Sequence, residues 1–249
     1  MRAKRESIGP LSENMARFRA LRLIASSIVA LLLSSLLDGE TGRPAAEGVS
    51  QGKVWSFDES PPGALPESVT VGTLFDGRPA GDWKILITGR AKSASQVLAQ
   101  LGSKGSDLAY KLVLFEGTTS SNVDVEVSFL AVSGKADLGG GLIWRARDDR
   151  NYYLLRASAV EQNIRLYRVV KGVRHLVKNH NHAIGQAAWH SLRVIQHGCE
   201  MQIRYDDEPL FQLCEQTFDQ GRIGLWTKSD AVTYFDDLQL CLLDGSPSR

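Results

Sequence analysis

Net charge is the first thing this sequence lacks. Its 29 Lys and Arg residues meet 28 Asp and Glu, leaving +1 over 249 residues. No extended field is present to draw in nucleic acid or an anionic membrane surface. Cysteine is scarce, three in all, and none of them has the Cys-x-x-Cys spacing that builds zinc or redox sites. No Gly-rich phosphate loop opens a helix: Gly139-Gly140-Gly141 is short and runs into a strand-like segment. A GxSxG elbow placed between a strand and a helix is also missing. No segment carries a convincing 3.6-residue apolar period, and no apolar run reaches the ~20 residues that a spanning helix needs. These gaps argue against nucleotide-dependent enzymes, metal-finger domains, serine hydrolases of the α/β type and helix bundles.

Glycine is plentiful instead, at 23 residues, and its density fits many tight turns. Near the start, Met15 to Arg22 places three arginines before Leu23–Leu37, a 15-residue run without charge, which Asp38 ends. An export signal has a basic flank and an apolar core of about 7 to 15 residues, so residues 1–38 read as a signal peptide, with Met15 as an alternative start. The minority reading is an uncleaved signal anchor. The expected location is therefore the periplasm or the cell exterior, with no membrane contact after cleavage. Residues 39–68 are rich in Gly, Pro, Ser and Glu and suggest a flexible linker. Within it the Trp55 and Phe57 pair is apolar enough to dock on the domain downstream.

From Val69 onward, short alternating apolar runs recur with turn residues between them. They predict strands at Val69–Phe75, Trp83–Thr88, Gln96–Leu101, Ala109–Phe115, Val123–Val132, Gly141–Arg147 and Tyr152–Ala157. Further runs lie at Ile164–Val170, Arg174–Val177, Ser191–His197, Met201–Tyr205, Leu210–Leu213, Arg222–Thr227 and Val232–Leu242. So many strands without helices predict an all-β sandwich or barrel over residues 69–243, with 244–249 as a tail. Asp206-Asp207 sits where a two-residue hairpin loop would, which places Tyr205 opposite Glu208 and Cys199 opposite Cys214. In an oxidising compartment that pair suggests a Cys199–Cys214 disulfide with Cys241 left over. The alternative is three buried free thiols, because a directly opposed hydrogen-bonded pair holds its Cα atoms about 5.5 Å apart, a less relaxed place for a bridge.

Four blocks carry a family resemblance: GGGLIWRARDDRNYYLLRAS from Gly139, then Trp189 to Val194, Gly221 to Thr227, and Val232 to Leu238. With Leu74-Phe75-Asp76-Gly77 and Gly81-Asp82-Trp83 as an opening, this order resembles the concanavalin A-like lectin/glucanase superfamily. Within it the pattern is similar to the bacterial exported branch with laminin G-like and 3-keto-disaccharide hydrolase-like domains. The resemblance spans about residues 69–243. It implies a jelly-roll sandwich of two curved antiparallel sheets whose concave face meets carbohydrate.

Two kinds of chemistry are then expected. Laminarinase-type members of the superfamily carry two glutamates four residues apart with an aspartate between them. Here Asn122 stands at the first position, which leaves Asp124 and Glu126 as an unusual pair, with Glu161 as a third weak catalytic candidate. A half-buried strand with Val123, Val125 and Val127 inward explains the same letters. The stronger expectation is a ligand-binding face built from Arg145, Arg147, Tyr152, Arg156, Asn163, Arg165 and Tyr167, joined by Trp226 and Lys228. Rings stack on sugar C–H faces, while guanidinium forks bond hydroxyls or a carboxylate. Convergence of Arg145, Arg156 and Tyr167 is the geometric test. Tyr234 lies near the end of the domain in a strand a jelly roll could bring beside this set. Asp236-Asp237 is a weak candidate for calcium, and no other cofactor is expected. His180-Asn181-His182 reads as a loop tip. The sequence therefore favours an exported, non-catalytic domain that binds carbohydrate or a glycosylated partner. A glycoside hydrolase of the 3-keto-disaccharide type and a cell-envelope interaction module are the alternatives.

Overall fold

The computed structural model describes residues 52–72, 81–102 and 110–243. The expected signal segment, the tail, the linker before Gly52 and the Leu74 to Gly77 block lie outside them. Among the described residues no α-helix occurs, and the strands are β1 (Gly52–Trp55), β2 (Val69–Val71), β3 (Trp83–Ile87), β4 (Gln96–Leu101) and β5 (Tyr110–Phe115). There follow β6 (Val123–Ser133), β7 (Gly139–Asp148), β8 (Asn151–Ser158), β9 (Asn163–Val170) and β10 (Val173–Asn181). The last five are β11 (Trp189–His197), β12 (Glu200–Tyr205), β13 (Glu208–Cys214), β14 (Arg222–Lys228) and β15 (Val232–Leu242).

These strands make two antiparallel sheets. The first runs β13-β12-β11-β6-β15-β4-β3, with β1 also on β15, and the second runs β10-β9-β8-β7-β14-β5-β2. Period-two alternation explains why they stack. On β6, Val123, Val125 and Val127 face inward, and on β8, Tyr153, Leu155 and Ala157 do. Gly140 on β7 lies where the sheets meet, and a Cβ there would stand 3.1 Å from the Phe235 ring and 3.2 Å from that of Phe129, so these buried rings would have to shift.

The second sheet has a further apolar set on its outer face, including Leu112, Ile143, Leu154, Tyr152, Tyr167 and Trp226. Its curvature explains how those residues come to be buried. Arg174 on β10 sits 4.9 Å from the ring of Tyr110 on β5, five strands away. In a flat sheet five strand spacings would separate them by about 24 Å. The sheet therefore curves enough for these two long side chains to meet across it, and its outer face is a trough.

Three features depart from what the sequence suggests. The part of the expected linker from Gly52 on is folded: Gly52–Trp55 pair with Leu238–Cys241, Trp55 packs edge-on against Phe115 at 5.1 Å, and Phe57 is buried. A polar composition conceals this because one apolar island is enough to complete a sheet edge and cover a core ring. His180 and Asn181 close β10 instead of forming a loop tip, and His180 packs 6.1 Å from the Phe211 ring. The Asp206-Asp207 hairpin forms with both residues in the left-handed region, at φ 46° and 63°. A bulge between Ile203 and Arg204 then shifts the register by one, so Cys214 lies opposite Glu200, not Cys199. Pro209 beside that bulge cannot donate to the ladder, and β13 is an edge strand that tolerates it. Cys199 and Cys214 are disulfide-bonded diagonally, with Cα atoms 4.7 Å apart, and Cys241 is free.

Candidate functional site

The trough is built from one row of side chains on each strand. On β8 the outward residues are Tyr152, Leu154 and Arg156; on β9 they are Asn163, Arg165, Tyr167 and Val169. Trp226 comes from β14, Tyr110 from β5 and Arg174 from β10. Arg156 and Trp226 both pair in register with Gly141, so a glycine separates them on the strand between.

Arg156 is the centre of charge. Its side chain is 2% exposed and pairs with Asp137 at 3.4 Å and with Glu161 at 2.9 Å. Glu161 also bonds Arg165, and the Asn163 amide donates to the Glu161 carbonyl at 3.1 Å. Arg165 reaches the Tyr167 hydroxyl at 3.4 Å and donates to Asn179 at 2.7 Å. Burial would push the Glu161 carboxyl up, yet the hydrogen bond and charge of Arg156, with Asn163 and Arg165, hold it below the usual range. Glu161 is therefore an acceptor, not a general acid at neutral pH. Burial would also lower Arg156, but Asp137 and Glu161 outweigh it and keep the guanidinium charged.

At the other end, rings gather around one cation. Arg174 stands over Tyr110, Tyr167 and Trp226 at 4.9, 5.0 and 5.8 Å from their centroids. The Trp226 indole lies near the Tyr152 hydroxyl without hydrogen-bond geometry. Burial raises the Tyr152 pKa well above the ordinary phenol value, so it stays a neutral O–H donor. Ten buried side-chain polar atoms lack a hydrogen-bond partner among the described residues. Five of them belong to this face: Tyr152 Oη, Arg156 Nε and Nη1, Asn163 Oδ1 and Trp226 Nε1. Each such atom costs about 1–3 kcal/mol of stability, so their concentration on one face calls for a reason.

The structure brings together Tyr152, Arg156, Asn163, Arg165, Tyr167 and Trp226, with Lys228 at the end of β14 opposite Tyr110. It does not bring in Arg145 or Arg147. Arg145 has φ 48° and sits in a bulge: between Ile143 and Ala146 the strand takes three steps while β14 takes two, and this added residue breaks the alternation. Its guanidinium is buried at one end of the sandwich, donating to the carbonyls of Ser121, Phe218 at 2.9 Å and Gly198 at 2.7 Å. Arg147, past the bulge, pairs with Asp219 at 2.9 Å. Arg145, Arg156 and Tyr167 thus share a sheet, but only the last two share a face.

The acidic candidates separate as well. Asp124 and Glu126 face outward from the first sheet, where Arg193 forks onto Asp124 at 2.8 and 2.7 Å and lies 3.9 Å from Glu126. Glu161 lies in the turn between β8 and β9 of the second sheet, so it does not join Asp124 and Glu126 on the first. Asp236 is fully buried and accepts from the backbone N–H groups of Lys92 and Ser93 at 3.0 and 2.9 Å, while Asp237 pairs with Lys92 at 3.7 Å. Those acids tie down a loop, and no cluster of three metal-ligating side chains occurs among the described residues. Tyr234 alternates with the inward Phe235 and so lies on the first sheet, apart from Trp226.

Sequence reasoning missed Tyr110, Arg174 and Asp137. Both Tyr110 and Arg174 lie in or beside runs read as strands, but nothing local says that the sheet curls enough to make them neighbours.

No family model and no curated protein matches the chain. Solved structures do. A carbohydrate binding module, CBM66 from Bacillus subtilis, is 18% identical over 69% of this chain and 94% of its own, with a TM-score of 0.56. A GH16 protein of a Bacteroides ovatus mixed linkage glucan PUL, in complex with a product, is 10% identical over 76% of this chain and 99% of its own, with a TM-score of 0.53. A native glycosidic hydrolase covers 80% of this chain and 99% of its own at 11% identity and a TM-score of 0.51. At these identities the likeness speaks to fold: the chain has the concanavalin A-like lectin/glucanase fold, an all-β jelly-roll sandwich of two antiparallel sheets.

Proposed function

We propose that the protein is an exported carbohydrate-binding domain whose ligand occupies the trough of the second sheet, and that it works without catalysis. The observation that carries this reading is the cluster of unpartnered buried polar atoms on that face. These atoms are closed to solvent in the unliganded protein, so a sugar would reach them as the side chains above them part; its hydroxyls would then supply acceptors for Arg156, Trp226 and Tyr152 and a donor for Asn163. The rings of Tyr110, Tyr167 and Trp226 offer the apolar stacking that pyranose faces need. The similarity to a carbohydrate binding module fits the same reading. Export is supported by the basic-then-apolar start of the sequence and by the Cys199–Cys214 disulfide.

A hydrolase would need one carboxyl held protonated near a second carboxylate. Asp137 and Glu161 are the two nearest to this role, but they share the Arg156 guanidinium, which favours the ionised state of Glu161.

A glycan array probed with the full chain tests the proposal. Arg165→Ala, at the rim, is expected to weaken the bound glycan by about tenfold or more, as loss of a charged hydrogen bond would. Asp124→Asn, on the opposite sheet, is expected to leave binding unchanged. No glycan bound by the wild-type protein, or equal effects of the two variants, would overturn the site; release of reducing sugar from a bound glycan would overturn the absence of catalysis.

A further inference from the structure

We infer that the glycan is acidic, with a sugar carboxylate received by Arg174; this rests on the trough being the glycan site. Most cations near this face already have an anionic partner. Arg156 has Asp137 and Glu161, and Arg165 has Glu161. The same is true of arginines elsewhere, such as Arg193 with Asp124 and Arg222 with Glu116. Arg174 is different: among the described residues it meets only three aromatic rings. Aromatic rings hold a guanidinium without accepting its N–H groups as a carboxylate does, which leaves a fork that matches a carboxylate.

The surroundings point the same way. The nearest polar groups at this end are the Trp226 indole N–H and the Tyr152 hydroxyl, which approach each other short of full hydrogen-bond geometry and have no other partner. The Asp149 carboxylate also acts on Tyr152 through its charge. Lys228, half-buried at the end of β14, adds a second positive charge opposite Tyr110. The other end differs in that its cations are already paired: Glu161 lies between Arg156 and Arg165, with Asn163 Oδ1 as an unpartnered acceptor beside them. A uronic acid has the complementary polarity, with a carboxylate at C6 and hydroxyls on the far side of the ring. A neutral sugar would desolvate Arg174 without compensating its charge, which is unfavourable.

The test uses paired oligosaccharides that differ only in oxidation at C6: glucuronate against glucose, galacturonate against galactose, mannuronate against mannose. Titration calorimetry on the full chain is expected to show one acidic member binding at least about tenfold more tightly than its neutral twin, the scale of a charge-assisted hydrogen bond. Arg174→Met retains a long side chain over the rings and should abolish that preference with little change in melting temperature, while Arg174→Lys should restore part of it. Equal binding within every pair, or binding confined to neutral members, would overturn the acidic ligand and leave the glycan site standing. A preference that survives Arg174→Met would overturn the assignment of Arg174. Failure of both acidic and neutral panels would sink the glycan reading as well.

Discussion

The outer faces of the two sheets carry similar residues in opposite states. On the first sheet, Arg193, Asp124 and Glu126 are partly exposed and satisfy one another, and Asp236 is fully occupied by a neighbouring loop. On the second sheet, Arg156, Tyr152, Asn163 and Trp226 are buried with polar atoms left over. A solvated face needs no ligand, since water and ion pairs complete it. A curled face that excludes water and leaves donors unmet is unfavourable for folding alone, and such sites persist where they bind something.

The largest way to break this contrast is to remove the central arginine of each face. Arg156→Met would leave the buried Asp137 without its partner, Glu161 keeping Arg165, and a loss of about 3–5 kcal/mol is expected by denaturant titration. Arg193→Met, in an ion pair whose side chains are 21–32% exposed, should cost under ~1 kcal/mol. Equal costs would remove the distinction between the faces. Next in size is the disulfide: its partners are 15 residues apart, and reduction should cost about 3 kcal/mol, read as a lower melting temperature with a thiol reductant.

A smaller effect sharpens the contrast. Tyr152→Phe removes a hydroxyl without a partner, so the unliganded protein is expected to keep or gain up to ~1 kcal/mol while glycan affinity falls. A destabilised variant would show that the hydroxyl is already satisfied. The smallest effect concerns pH. The folded pKa of Glu161 lies below the ordinary glutamate value of 4.5, so its contribution is present above about that pH and is lost as pH falls through the folded value. Glu161→Gln should flatten the acid side of the stability profile; an unchanged acid limb would remove Glu161 from the charge network.

Much of this architecture is legible in the sequence. The alternation of β8, of β9 and of β6 from Val123 to Ala131 is unbroken, so the faces of Val123, Tyr152 and Tyr167 follow from counting by two. Counting fails where a residue is added. One bulge at Arg145 puts Arg145 and Arg147 out of the trough, and another beside Pro209 moves Cys199 away from direct opposition to Cys214. Both bulges are set by how neighbouring strands meet, which single-strand periodicity does not encode. The meeting of Arg174 with Tyr110 depends on the twist accumulated over a whole sheet, a property of no single segment.

The tryptophan indole N–H resonances offer the most direct measurement. Trp144 donates to Gln196 at 2.6 Å inside the sandwich, Trp189 donates to the Arg90 carbonyl at 3.0 Å on the first sheet, and Trp226 has no partner. Titrating the isotope-labelled protein with a glycan that binds it should move the Trp226 indole signal and leave those of Trp144 and Trp189 in place. A shift of the Trp189 signal with Trp226 unmoved would contradict the account and put the ligand on the other sheet.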